Sequence, residues 1–253
     1  MQTNEIEGVH LPTLLKQRAE NCQGAPKRIR TRRKLLAATA AVMERSGYEG
    51  LTIDSVVKEA KVARGTFYLY FADRSIAAIA VTRAFAAVMR KLRPRGGSRL
   101  PAAESIYRTN LFYILSFSVN SRLLAGRESL MRDCPQLIRR RDAVNIRWTQ
   151  TVLRDLCNRS GAPPELLSNP QARLAIRAVI SMADEFLREI YVYKSPSLVK
   201  LAHSPEQVAE ALTQVWHRAV FGCDPPGWTP ENGLPLAGDI SRAAIQKPSV
   251  ASL

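Results

Sequence analysis

The sequence predicts an all-α protein, a three-helix unit built around a helix-turn-helix and followed by a longer helical bundle. Three observations carry this. From Thr31 to Phe221, segment after segment repeats apolar residues at i, i+3/i+4 and i+7. No segment shows the period-2 alternation of a strand. Glycine, proline and capping residues fall where those periodic segments should start and stop. The 253 residues leave room for one small and one larger domain.

Residues 1–26 are polar, with an amphipathic turn near Leu11 to Lys16, and read as a flexible N-terminal arm. KRIRTRRK (27–34) follows, with six of eight residues basic; alone it is equally a solubilising tail. The first helix is predicted over Thr31 to Ser46, with Leu35, Ala38 and Val42 on one face beside Leu36, Thr39 and Met43. Gly47 then supplies the positive φ that ends a helix. Thr52 is the N-cap of a second helix whose inner face is Ile53, Val56, Val57 and Ala60. Lys61-Val62-Ala63 is the turn into a third, Arg64 to Tyr70, in which Phe67 and Phe71 point inward. Arg64, Gly65, Thr66, Tyr68 and Tyr70 are left facing out.

Asp73 caps an Ala-rich helix from Arg74 to Leu92, and RPRGGSRLP is read as the hinge between domains. Helices are then predicted over Glu104 to Leu130, from Pro135 to Gly161, and from Asn169-Pro170 to Lys194. On the second of these Leu137, Val144, Trp148, Val152 and Leu156 share a face. Ser204-Pro205-Glu206-Gln207 is a capping box that starts the last helix, which runs to Phe221. The Pro- and Gly-rich residues 223–253 read as a disordered tail.

The charge is uneven. Of the net +15, residues 27–99 hold +12, from 17 Lys and Arg against 5 Asp and Glu. A polyanion is the expected partner of this third of the chain. No apolar run is long enough to span a membrane, and the N-terminus lacks a signal peptide's basic start and apolar core, so the expected location is cytoplasmic and nucleoid-associated, with no membrane partner. Cys22, Cys134, Cys157 and Cys223 are scattered and form no CxxC pair; no metal and no cofactor are expected. No GxSxG, phosphate loop, HExxH or paired-carboxylate arrangement supports an enzyme, and none is predicted.

A helix-turn-helix reads DNA by laying its second helix in the major groove while neighbouring helix ends hold phosphates. The chain offers Arg64 for guanine or phosphate, Gly65 for close approach and Thr66 as a short hydroxyl. Tyr68 and Tyr70 can donate to phosphate oxygens, and Arg32, Arg33, Thr52, Lys61 and Arg74 sit where phosphate contacts are expected. Tyr68 and Tyr70 also have a packing-only reading, and Gly65 one in helix–helix approach.

Gly47-Tyr48, Thr52-Ile53, Ala60, Val62, Gly65-Thr66, Phe67-Tyr68, Phe71 and Arg74 stand at the fixed spacing of the TetR family of bacterial repressors. The segment from Arg32 to Ile79 resembles that family's DNA-binding domain. Two residues depart from the pattern. Lys61 stands at the usual turn glycine, so a positive φ there carries strain. Ala63 replaces the usual serine cap, a change worth about 1 kcal/mol.

The resemblance implies residues 27–75 as the helix-turn-helix DNA-binding domain and residues 76–222 as an effector-binding domain. It also implies a homodimer formed through the last two long helices, on a double-stranded operator. Tyr107, Asn110, Phe112, Tyr113, Phe117, Trp148 and Phe186 are candidates for a site taking a small apolar or aromatic effector, although spacing alone favours the core reading of the aromatics. The function expected is a ligand-responsive repressor on a palindromic operator. The alternative is a constitutive or architectural DNA-binding protein without an effector.

Overall fold

The structure is a computed structural model and describes residues 6–94 and 99–226. The described residues form helices and turns, with no strand among them. The all-α prediction is borne out.

The largest departure is at the N-terminus. Leu11–Glu20 is a helix, α1, and not a mobile arm. His10 precedes it, Pro12 occupies its first turn, and Leu11 and Leu15 are fully buried. The chain entering it is tied to a helix over a hundred residues away. Val9 N–H donates to Ser116 Oγ at 3.1 Å and Leu11 N–H to Asn120 Oδ1 at 2.9 Å. Asn120 Nδ2 returns a bond to Val9 O at 2.7 Å. A Cβ on Gly8 would meet the Leu115 carbonyl at 2.7 Å, so glycine permits this close approach.

Helix α2 spans Lys27–Ser46 and thus takes in the whole basic run, four residues earlier than predicted. Its second half is core (Leu35, Ala38, Val42, Met43), and Gly47 ends it at φ 69°. Against it pack α1, α3 (Ile53–Ala60), α4 (Arg64–Tyr68) by way of α3, and α5 (Arg74–Leu92). Asp73 caps α5 as predicted, accepting from Ile76 N–H at 2.8 Å. Residues 95–98 of the predicted hinge (93–101) lie outside the described residues, as do residues 227–253 of the predicted tail.

The predicted helix from Glu104 to Leu130 is three helices: α6 (Ala102–Val119), α7 (Ser121–Ala125) and α8 (Arg127–Asp133). The first break is Asn120, whose amide serves the N-terminal strap. The second is Gly126, where any Cβ would lie 2.5 Å from Tyr48 Cβ. Helix α9 (Gln136–Ser160) ends at Gly161 in the left-handed region, as expected. Its buried stripe is Leu137, Thr149 and Leu153; Val144, placed on the inner face by the sequence, is exposed. After a 3₁₀ turn at Pro164–Leu167 come α10 (Pro170–Tyr191), capped by Asn169, the short α11 (Pro196–Val199) and α12 (Pro205–Phe221). Ser204 caps α12, but Gln207 accepts from His203 N–H, so the reciprocal half of the box is displaced by one residue.

Helix α12 lies along α6 and is packed on α10, which in turn packs on α9. The two domains meet where α7 and α8 touch α2 and α5. At that junction the buried Tyr48 donates to Asp133 Oδ2 at 2.6 Å, and its oxygen is 2.8 Å from Ser75 Oγ. Burial, then the hydrogen bond to Asp133, raises the Tyr48 phenol above its usual range.

Candidate nucleic-acid interface

Helix α3 starts at a capping box. Thr52 Oγ1 accepts from Ser55 N–H at 3.1 Å, and Ser55 Oγ accepts from Thr52 N–H at 3.2 Å. Ser55 was missed in the sequence because the third box position is usually Glu or Gln. Asp54, in the first turn, suits the positive end of the helix.

The turn to α4 holds Lys61 at φ 52°, ψ 52°, the left-handed region. A lysine there carries the strain that the sequence comparison foresaw. Lys61→Gly is expected to stabilise the protein by about 1 kcal/mol, since relief of the strained backbone outweighs the added freedom of the unfolded chain. An unchanged or lowered urea midpoint would count against this. Ala63 precedes α4 with no side-chain cap, so its loss is uncompensated locally.

α4 is only five residues long, two fewer than predicted, and is held by one buried residue. Phe67 has 0% exposure, its ring 5.7 Å from that of Phe71, itself buried. Around this anchor the outer surface is set. Gly65 is exposed, and a Cβ built on it would meet nothing within 4 Å. Helix–helix approach therefore does not explain this glycine. Thr66 is half-buried and Tyr68 is 48% exposed, its ring edge-on to Phe67.

Tyr70 differs from its prediction. Because α4 stops at Tyr68, the chain turns at Leu69, and Tyr70 swings back to pack half-buried against the core. Leu69 takes the outward position and is 77% exposed, the most exposed large apolar side chain among the described residues. Nothing in its neighbours marks it, since an apolar residue at that spacing reads as core.

Arg64 is exposed but not idle. Nη1 lies 2.5 Å from Asp54 Oδ1, and hydrogen bonding to Tyr68 and then Asp54 raises its pKa further. Arg74, expected at phosphate, is half-buried, with its Nη1 turned to the protein. It bonds Leu51 O at 3.0 Å and Glu49 O at 3.4 Å, and its guanidinium stacks 5.1 Å from the Tyr48 ring. Arg32 and Arg33 are exposed on α2; Arg32 lies 5.8 Å from the Phe71 ring, and Arg33 donates to Arg18 O.

In the bundle, the effector candidates do not all converge. Five are on α6, Trp148 on α9 and Phe186 on α10. Phe112 and Phe117 are buried, and Phe117 packs near Tyr113 and Tyr191 at 6.1 and 6.4 Å. Tyr113 donates to Asp184 Oδ1 at 2.6 Å, while Arg127 and Arg141 meet Asp184 Oδ2 at 3.4 and 2.8 Å. Burial, then Asp184, pushes the Tyr113 phenol well above its usual range, so it stays a neutral donor. Asn110 donates to Thr213 Oγ1, Phe186 packs half-buried on the core, and the Arg93 guanidinium covers the Trp148 ring at 4.7 Å.

Residues 35–75 match the model of the family described as bacterial regulatory proteins, tetR family. No curated protein sequence matches the chain significantly. Among the solved structures that share the fold are two regulators. The transcriptional regulator FadR from Bacillus subtilis, in complex with stearoyl-CoA, is 16% identical with a TM-score of 0.54, covering 75% of this chain and 98% of that one. The fatty acid degradation regulator FadR from Bacillus halodurans is also 16% identical, with a TM-score of 0.51 over 73% of this chain and 93% of that one. Among the described residues no helix is long and apolar enough to cross a membrane. The helix-turn-helix and the order of its residues agree with that match: residues 35–75 form a DNA-binding segment of the kind found in the tetR family of bacterial regulatory proteins.

Proposed function

We propose that the protein is a ligand-responsive repressor that binds a palindromic operator as a homodimer, in the cytoplasm. The observation that supports this most is the outer surface of α4. Gly65 leaves open space that none of the described residues fills, between Arg64 and Thr66 and beside the exposed Tyr68 and Leu69. Backbone can approach base edges at Gly65, Leu69 suits a thymine methyl, and Arg64 can exchange Asp54 for a guanine. Thr52, Lys61, Arg32 and Arg33 are the proposed phosphate contacts.

The homodimer reading draws on α10. Its inner face (Ile176, Ile180, Ala183, Leu187) is buried in the chain's own core, while Leu174 is 66% and Met182 40% exposed, with Ala178 between them on the same side. Such a second apolar stripe suits the isologous contact of a two-fold dimer. A regulator of this fold holds stearoyl-CoA. An effector of apolar character acting on the bundle is the corresponding proposal here, by shifting the population of dimers whose reading helices are spaced for successive major grooves.

Selection from random duplexes tests the reading. The expected product is a palindrome with half-sites about one helical turn, ~34 Å, apart, bound by two chains. No enriched palindrome at low salt would remove it. Arg64→Ala is expected to lower operator affinity about tenfold and relax one base position per half-site. Arg28→Ala with Arg30→Ala should instead weaken all duplexes alike and flatten the salt dependence. If Arg64→Ala also weakens all sequences equally, the constitutive alternative gains. Deleting the first 30 residues is not a clean comparison, because it strips the docked α1.

A further inference from the structure

Between α1, α2 and α5 runs a groove of about 490 Å³. Its floor is apolar: Leu15 and Val88 are buried beneath it, and Leu36, Ala84 and Ala87 leave apolar surface open to water. Its rim carries Arg18, Arg32, Arg33 and Lys91, and no carboxylate lines it. None of the four cations enters a salt bridge among the described residues.

Gathering four like charges around one recess is unfavourable unless an anion balances them. Leaving an apolar floor open to water is unfavourable too. One kind of molecule relieves both at once, an apolar chain ending in an anionic head. The volume is within the range of roughly 300–1,000 Å³ usual for small-molecule pockets. DNA is the poorer occupant, because a sugar-phosphate backbone brings charge to the rim but nothing apolar for the floor. Two of the three walls also lie outside the segment that carries the family's DNA-binding domain, α1 wholly and α5 beyond its first turn.

We propose that this groove is a binding site for an amphiphilic anion, an unbranched apolar chain with a terminal carboxylate or phosphate. The site exists because α1 is docked rather than mobile, and it is separate from the aromatic cluster of the bundle. The proposal goes beyond the operator reading; the two share Arg32 and Arg33, so its test changes only Arg18, Lys91 and Ala87.

Calorimetric titration of the full chain tests it, using decanoate, decyl phosphate, decanol and inorganic phosphate below any micellar concentration. One site per chain is expected, with the better amphiphilic anion binding at least about tenfold more tightly than decanol or inorganic phosphate. The decanoate and decyl phosphate arms tell a carboxylate source from a phosphate one. Arg18→Glu with Lys91→Glu should weaken that anion about tenfold or more, and Ala87→Trp, which fills the groove from its wall, should do the same without touching charge. Far-UV circular dichroism checks that both variants fold; if the charge reversal does not, Ala87→Trp decides alone. The proposal is overturned if neither anion binds, if decanol binds equally, or if folded variants bind like the parent. It is also overturned if a random duplex, and no amphiphile, loses affinity in the charge-reversal variant. An operator selection that fails leaves this result untouched.

Discussion

Replacing Phe67 by alanine is expected to cost about 3–5 kcal/mol and to abolish specific DNA binding. The side chain is fully buried, packs on Phe71 and Tyr68, and is the only buried residue of α4. A five-residue helix has no stability of its own, since nucleation alone outweighs so few hydrogen bonds. The apolar contact that holds α4 in place therefore passes through one ring, with only the exposed Arg64–Asp54 pair beside it among the ion pairs described. The loss falls on a small domain whose whole stability is of the order of 5–15 kcal/mol, so α4 should open locally before the bundle does. Hydrogen exchange should show lost protection over residues 62–71, with α10 and α12 unchanged. Phe67→Leu should recover more than half of the stability. A loss below about 1 kcal/mol, or retained specificity, would mean that α3 and the turn position α4 without the ring.

The predictable parts of this protein are those determined by neighbours in sequence. Thr52 and Asp73 were legible as caps, and Gly47 and Gly161 as helix ends, because each acts within one turn of itself. Phe67 and Phe71 were legible as core because four residues separate them. What was not legible depends on distant partners. Leu11 and Leu15 look like an isolated amphipathic turn until Ser116 and Asn120 fix the chain that enters it. The same Asn120 breaks the long helix predicted over Glu104 to Leu130, and nothing near it in sequence says so. Arg74 and Tyr70 fit the chemistry of a phosphate contact, and the structure leaves both half-buried, Arg74 Nη1 on loop carbonyls and Tyr70 against the core. Leu69 was overlooked for the opposite reason, an apolar residue that the end of α4 leaves outside.

The second large effect is expected at Gly126, where the bundle touches the DNA-binding domain. Its φ is −74°, a value open to any residue, so replacement brings no backbone strain of its own. What it brings is collision. A Cβ would stand 2.5 Å from Tyr48 Cβ and 3.0 Å from Tyr48 N, rigid atoms that cannot rotate away. Gly126→Ala is expected to cost about 1–3 kcal/mol, the usual range for overpacking, by levering α8 from the corner between α2 and α3. The same movement would draw Asp133 from the Tyr48 hydroxyl, now 2.6 Å away, and from Arg74, 3.9 Å away. Tyr48→Phe removes only the hydroxyl and leaves the half-exposed Asp133 to water, so it should cost less than about 1 kcal/mol. Comparing the two separates contact from hydrogen bonding. If the junction carries the signal between domains, Gly126→Ala should also change operator affinity, although Gly126 is on the bundle side of the contact. A chain that is destabilised but binds its operator unchanged would place the coupling elsewhere, with the N-terminal strap through Asn120 as the other link between the domains.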